Sequence, residues 1–154
     1  MGEGARRQKK YIQAEVCYLE CLAILRDTHG WDTLAVPLTN LGHVAVRWGD
    51  AGRAANYFRE SIDHDDVIST WNIWGMGLVA AAQARPTQAA QLYAVVDKLV
   101  EADIKNILYQ EDRAEFRQDV DAVRAQLGEA IFAAARAEGR VMSPEEAIAY
   151  AVKE

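Results

Sequence analysis

Two glycines in the middle of the chain have the spacing of a nucleotide-binding turn. Gly75 and Gly77, with Ala80 beyond them, resemble a dinucleotide-binding fingerprint in spacing alone. That fingerprint needs a strand before it and a phosphate at the N-terminus of the following helix. Here the glycines follow two tryptophans inside a helical pattern, so close packing between helices explains Gly77 better. We therefore expect no bound cofactor.

The histidines give little support for a metal site. None of the three has a second histidine or a cysteine at metal-ligand spacing. His64 lies among Asp63, Asp65 and Asp66, whose oxygens could hold a cation. The alternating acids and the glycine of a calcium loop are absent, however. We predict a solvated acidic turn and no metal site.

Nucleophiles are equally sparse. None of the three serines lies in a G-x-S-x-G turn, and Ser143 fits a helix cap. Cys17 could act as a nucleophile only beside a histidine, and a small core residue is the better interpretation. Cys17 and Cys21 lie four residues apart, a spacing that closes no useful disulfide loop. We predict no catalytic site, no enzyme activity, and a reduced, cytoplasmic protein.

Length and charge narrow the classes of partner. The chain has 154 residues, which suits a single domain over 1–154. Its net charge of −6 disfavours broad binding to nucleic acid or anionic membranes, because both require a positive surface. A short basic run at residues 6–10 is interpreted as a solvated first turn. No stretch of about 18 apolar residues and no signal core occurs, so we expect no membrane association.

The elements that would position these residues are helices, because prolines are few and alanine is abundant. Residues 38–61 illustrate the pattern, since Gly49 and Asp50 separate two apolar stripes at helical spacing. The pattern predicts a helical hairpin. Its marker residues are Leu38, Leu41, Gly42, Ala45, Ala54, Phe58 and Ser61.

The same hairpin recurs 35 residues later. Gly77 takes the place of Gly42, and Tyr93 takes the place of Phe58. The predicted helices cover residues 33–48, 51–63 and 67–83, and Pro86 begins the next. An earlier helix over residues 11–28, stopped by Gly30, repeats the second half of the hairpin alone.

A repeat with Leu-Gly in one helix and Ala-x-x-x-Phe in the next resembles the tetratricopeptide repeat family over residues 11–100. The resemblance implies an all-α solenoid of helical hairpins, wound as a right-handed superhelix. In that family the first helix of each hairpin lines a concave groove that binds a protein or peptide.

The last third of the chain departs from the repeat. Residues 103–110 are predicted as a loop, and one helical stripe follows, with Gly128 as a weak point. The stripe comprises Phe116, Val120, Val123, Leu127 and Ile131. A small-residue helix is expected to end at Gly139, and Ser143-Pro144-Glu145-Glu146 predicts the start of another. We interpret residues 104–154 as helices that cap the solenoid.

This tail, D-R-A-E-F-R-Q-D-V-D-A-V-R-A-Q-L-G-E-A-I onward, resembles the C-terminal end of helical-repeat domains in bacterial LuxR-type regulators and predicted signalling ATPases. There is no G-x-x-x-x-G-K-[ST] loop and no separate basic helix-turn-helix. The resemblance therefore implies the sensor or scaffold part of a transcriptional regulator. A small-molecule effector-sensing domain is the alternative function.

The predicted groove lining comes from helix positions that packing inside the hairpin does not use. Tryptophans would supply apolar area, and amide, imidazole and guanidinium groups would supply hydrogen bonds. Packing of the tryptophans between hairpins or beneath the C-terminal helices is the alternative. A further hypothesis is a homodimer through the N-terminal helix, whose missing hairpin partner leaves an apolar face. The predicted lining is Val36, Thr39, Asn40, His43, Arg47, Trp71, Trp74 and Leu78.

Overall fold

The structure is a computed structural model that describes residues 3–65, 69–102 and 110–153. Within these ranges the chain forms helices, turns and short loops, and no strand occurs. The all-α, tetratricopeptide-like helical-repeat fold is thereby confirmed. The helices are α1 (Glu3–Asp27), α2 (Ala35–Trp48), α3 (Ala51–Asp63), α4 (Thr70–Ala82), α5 (Pro86–Ala102), α6 (Gln110–Leu127), α7 (Glu129–Arg140) and α8 (Pro144–Val152), with a 3₁₀ turn at Trp31–Thr33.

The chain divides into two compact units. Unit 1 is Met1–Val67 and contains α1 to α3, whereas unit 2 is Ile68–Glu154 and contains α4 to α8. The division falls between the two predicted hairpins. Each unit is described by itself below.

In unit 1 the α2–α3 hairpin turns at Gly49 and Asp50, as predicted. Gly49 adopts a left-handed φ of 101°, a conformation that a residue without a Cβ reaches at little cost. The Asp50 side chain then accepts a hydrogen bond from the backbone N–H of Arg53 at 3.0 Å. This N-cap satisfies one of the donors that the first turn of α3 leaves open.

A glycine and an aromatic ring allow the two helices of this hairpin to approach closely. A Cβ on Gly42 would lie 2.5 Å from Cε1 of Phe58, well inside van der Waals contact. Phe58 is fully buried, and α1 contributes Leu22 to a core that also contains Leu38 and Leu41.

Unit 2 repeats this contact between α4 and α5. A Cβ on Gly77 would lie 2.5 Å from Cε1 of Tyr93, and Tyr93 is 1% exposed. The spacing of 35 residues between Gly42 and Gly77 therefore corresponds to the same packing in three dimensions.

The last three helices pack onto the α4–α5 hairpin. Phe116 of α6 meets the ring of Tyr93 edge-on, with centroids 5.6 Å apart. Ser143 and Glu146 form the predicted capping box of α8, with hydrogen bonds of 2.9 and 3.0 Å. Tyr150 donates a hydrogen bond from its hydroxyl to Gln91 at 2.7 Å, which attaches α8 to α5.

The prediction that Gly30 takes the left-handed position after α1 was wrong, and the helix end predicted at Gly139 was one residue short. His29, and not Gly30, takes the left-handed conformation after α1, with φ 57°. The N–H of Gly30 then donates to the carbonyl of Leu25 at 2.8 Å, which closes the helix one residue earlier than expected. α7 ends at Arg140, one residue beyond Gly139. A Cβ on Gly139 would overlap the backbone carbonyl of Gln91, so its small size also serves helix packing.

The predicted stripe from Phe116 to Ile131 is interrupted. Gly128 has a φ of 81° and separates α6 from α7, so the expected weak point is a break. Ile131 lies in the first turn of α7, is 55% exposed and does not join the buried face. The predicted loop at residues 103–110 lies outside the described residues apart from Gln110, the first residue of α6.

Candidate protein-interaction faces

Four of the predicted groove residues lie on one line along α2 in unit 1. Val36, Asn40, His43 and Arg47 are separated by four, three and four residues, which places them on one helical face. Val36 is 67% exposed, and the other three are half-buried. The structure therefore brings an apolar side chain and three polar side chains together on an accessible surface.

His43 is fixed within this line by its neighbour across the hairpin. Its imidazole meets the Phe58 ring edge-on, with ring centroids 5.2 Å apart. Because Phe58 is fully buried, one side of the imidazole rests on the core. The half-buried ring therefore has both a packed side and an accessible part.

Thr39 does not belong to this surface. It is 7% exposed, and its hydroxyl lies 2.9 Å from the carbonyl oxygen of Ala35 and 2.7 Å from Oγ of Ser61. Ser61 in turn donates to the same carbonyl at 2.9 Å. The prediction of Thr39 as a groove residue overlooked this network, which holds α2 against α3.

Trp74 is also part of a core, in unit 2. It is 1% exposed, and its Nε1–H donates to Oδ2 of Asp119 at 2.9 Å. The Phe116 ring meets it edge-on with centroids 5.5 Å apart. The alternative of packing beneath the C-terminal helices is therefore correct for Trp74, and its side chain is not available to line an open groove.

The remaining two predicted residues of unit 2 differ in exposure. Leu78 is 7% exposed and so offers almost no surface. Trp71 is half-buried, with its ring centroid 5.2 Å from that of Trp74 and the two planes tilted by 32°. Unit 2 therefore retains only Trp71 as a predicted contact residue with accessible surface.

Within the described ranges, the structure offers no support for a nucleotide-binding turn, a metal site or a buried nucleophile at the residues considered above. Gly75 and Gly77 lie inside α4, with no strand before them among the described residues. Among those residues, no group of three or more His, Cys, Asp or Glu side chains is placed to hold a metal ion. Cys17 and Cys21 are exposed thiols, so the interpretation of Cys17 as a core residue was wrong.

The sequence analysis did not predict a charged cleft that is present in unit 2. It has a volume of about 490 Å³ and lies among α5, α6 and α7. The available signal was the spacing of Arg113, Arg117 and Arg124, which places three guanidinium groups along one side of α6. Its lining is Asp97, Val100, Glu101, Arg113, Phe116, Arg117, Val120, Asp121, Arg124 and Arg136.

The fold and these surfaces define an all-α helical-repeat protein. Residues 1–66 match the family model described as tetratricopeptide repeat. No curated protein and no solved structure matches the chain. Tetratricopeptide repeats generally mediate contacts between proteins and are typically non-enzymatic scaffolds.

Across the described residues, no helix combines the length and the apolar content that a membrane-crossing helix needs.

Proposed function

We propose that this protein is a non-catalytic interaction module that binds a peptide or a partner domain through the α2 face. The observation that carries the proposal is the line of Val36, Asn40, His43 and Arg47 described above. Their alignment matters because a bound chain can contact all four without any change in the helix.

The chemistry of the face suits a chain with one apolar side chain and a carboxylate. Val36 is 67% exposed and offers an apolar contact at one end. Arg47 carries a guanidinium group in the last turn, which can bind a carboxylate through two parallel hydrogen bonds. Asn40 lies between them, and its amide can pair with a peptide backbone.

The module would serve as the sensing or scaffolding part of a transcriptional regulator. The resemblance of its tail to LuxR-type regulators supports this role. A small-molecule effector is the second candidate ligand, favoured by the unit 2 cleft of about 490 Å³, which lies within the usual size range of ligand pockets.

Self-association through α1 is proposed as an additional property. Ile12, Val16 and Leu19 follow each other at four and three residues and are 50, 48 and 38% exposed. A second copy of this face would remove these side chains from water.

The binding proposal is tested by charge reversal on the α2 face. The variant Val36→Glu with Arg47→Glu should lose the partners that the unaltered protein captures from cell extract, by at least about tenfold. The control is Arg26→Gln, which removes a charge from α1 and opens only a surface ion pair with Glu60. Circular dichroism checks that both variants fold. Equal capture by the two variants would show that the α2 face is not the binding surface.

A further inference from the structure

The unit 2 cleft has one basic wall. Arg113, Arg117 and Arg124 follow each other at four and seven residues along α6, with Val120 among them. These spacings place all four side chains on one face of the helix. Arg136 of α7 adds a fourth guanidinium group to the same cleft.

The acidic residues of α6 lie mainly on its other faces. Asp119 accepts the hydrogen bond from Trp74 and so points toward α4, away from the cleft. Glu111 and Glu115 are exposed and do not line the cleft. Although the sequence of α6 is mixed in charge, the folded helix therefore separates its arginines from most of its carboxylates.

The three carboxylates that do line the cleft are already paired with arginines. Asp97 forms an ion pair with Arg136 at 2.5 Å. Glu101 pairs with Arg140 at 2.8 Å, and the hydrogen bond from Arg140 lowers the pKa of Glu101. Asp97 and Glu101 therefore hold guanidinium groups from α7 and do not neutralise the row on α6.

Asp121 is the remaining carboxylate, and it lies 3.7 Å from the guanidinium group of Arg124. The Arg124 guanidinium also stacks over the Phe132 ring at 4.7 Å. Among the described residues, neither Arg113 nor Arg117 has an ion-pair partner. Arg113 and Arg117 are therefore two guanidinium groups of the cleft that no lining carboxylate pairs with.

The length of the arginine row indicates the shape of the ligand. Eleven residues separate Arg113 from Arg124, which corresponds to about 16 Å along a helix. A single carboxylate or phosphate contacts one or two neighbouring guanidinium groups, whereas an extended peptide of about five residues covers this distance. Of the apolar residues that line the cleft, Val100 is half-buried and provides surface for a side chain, whereas Phe116 and Val120 belong to the core.

We propose that this cleft binds an acidic peptide segment that carries carboxylates and an apolar side chain. The guanidinium groups of Arg113 and Arg117 bind the carboxylates, and the apolar side chain rests on Val100. This site lies wholly in unit 2 and does not depend on binding at the α2 face.

The test measures fluorescence anisotropy of a labelled peptide in which glutamates alternate with leucines. The reference peptide has glutamine at every glutamate position. The full chain should bind the glutamate peptide at least about tenfold more tightly, and the difference should shrink as salt is raised. Replacing Arg113→Gln and Arg117→Gln together should weaken binding by about tenfold or more.

Arg85→Gln is the matched control, because Arg85 is an exposed arginine of unit 2 outside the cleft. It should leave the affinity within about twofold. No binding by the unaltered chain, or equal losses in the control and the double variant, would overturn the proposal. Displacement of the peptide by inorganic phosphate at millimolar concentration would also overturn it, because the cleft would then be a phosphate site. Loss of capture at the α2 face leaves this result unchanged, so the two proposals fail separately.

Discussion

The indole N–H of Trp74 donates a hydrogen bond to the carboxylate of Asp119 across 2.9 Å. The two residues lie 45 positions apart in sequence, one on α4 and one on α6. The bond gives a buried polar atom its partner and joins the second hairpin to the helices that follow it. Trp74 is therefore a structural residue of unit 2.

Truncating this tryptophan should be strongly destabilising. We expect Trp74→Ala to lower the free energy of unfolding by about 3–5 kcal/mol, because a large buried ring is lost and a cavity remains. Trp74→Phe keeps most of the ring but removes the donor to Asp119, so a smaller loss of about 1–3 kcal/mol is expected. Urea unfolding followed by circular dichroism measures both.

Trp48→Ala provides the comparison for this series. Trp48 is 48% exposed and meets the ring of Tyr11 edge-on at 6.4 Å, so its loss should cost about 1 kcal/mol or less. Equal unfolding energies for Trp74→Ala and Trp48→Ala would contradict the core placement of Trp74.

The two glycines of the hairpin contacts permit a second prediction. A Cβ on Gly77 would lie 2.5 Å from Cε1 of Tyr93, and Tyr93 is too buried to move aside freely. We expect Gly77→Ala to destabilise the protein by about 1–3 kcal/mol through overpacking. Thermal unfolding and urea titration give the difference.

Gly52→Ala is the matched control, since it makes the same change in a helix with the nearest atom, Oδ1 of Asp50, at 3.9 Å. Alanine favours the helix there, and stability should stay constant or rise by up to about 1 kcal/mol. Equal stability of Gly77→Ala and Gly52→Ala would contradict the close contact between Gly77 and Tyr93.

These glycines also show what the sequence could predict. Gly42 with Phe58 and Gly77 with Tyr93 are local hairpin contacts, and their spacing of 35 residues is visible in the sequence. Turn chemistry is local as well, so the start of α3 after Asp50 was predicted correctly. Both succeed because the interacting residues lie within one hairpin.

Predictions that depended on distant partners were less accurate. The repeat spacing of 35 residues assigned Thr39 and Trp74 to equivalent positions in the groove. The two residues do occupy equivalent positions, but both are buried. Thr39 packs against Ser61, and Trp74 packs against α6. Helical periodicity contains no information on either of these partners. The arginine row of α6 was missed because its significance depends on α5 and α7 closing the cleft.

The capping box of α8 provides a third prediction. Ser143 accepts a hydrogen bond from the N–H of Glu146 at 3.0 Å. We expect Ser143→Ala to cost about 1 kcal/mol and to raise hydrogen exchange throughout α8, because the first turn loses a partner. Glu145→Gln alters the same turn outside the capping box and should leave exchange unchanged. Equal protection of α8 in both variants would contradict this role for Ser143.

The apolar line on α1 permits a test of self-association. Ile12, Val16 and Leu19 are exposed together, and covering them with a second copy would remove their apolar area from water. We expect the unaltered protein to show a concentration-dependent shift from monomer to dimer in sedimentation velocity. Val16→Glu with Leu19→Lys should give a monomer at every concentration, because dimerisation would then bury charge.

Ile24→Lys is the control for this experiment. Ile24 is 62% exposed on the same helix but lies about 80° around the axis from Val16, outside the line. This variant should dimerise like the unaltered protein. A monomeric unaltered protein at high concentration would exclude the α1 interface. Loss of dimer in Ile24→Lys as well would show that the contact surface is not confined to the line of Ile12, Val16 and Leu19.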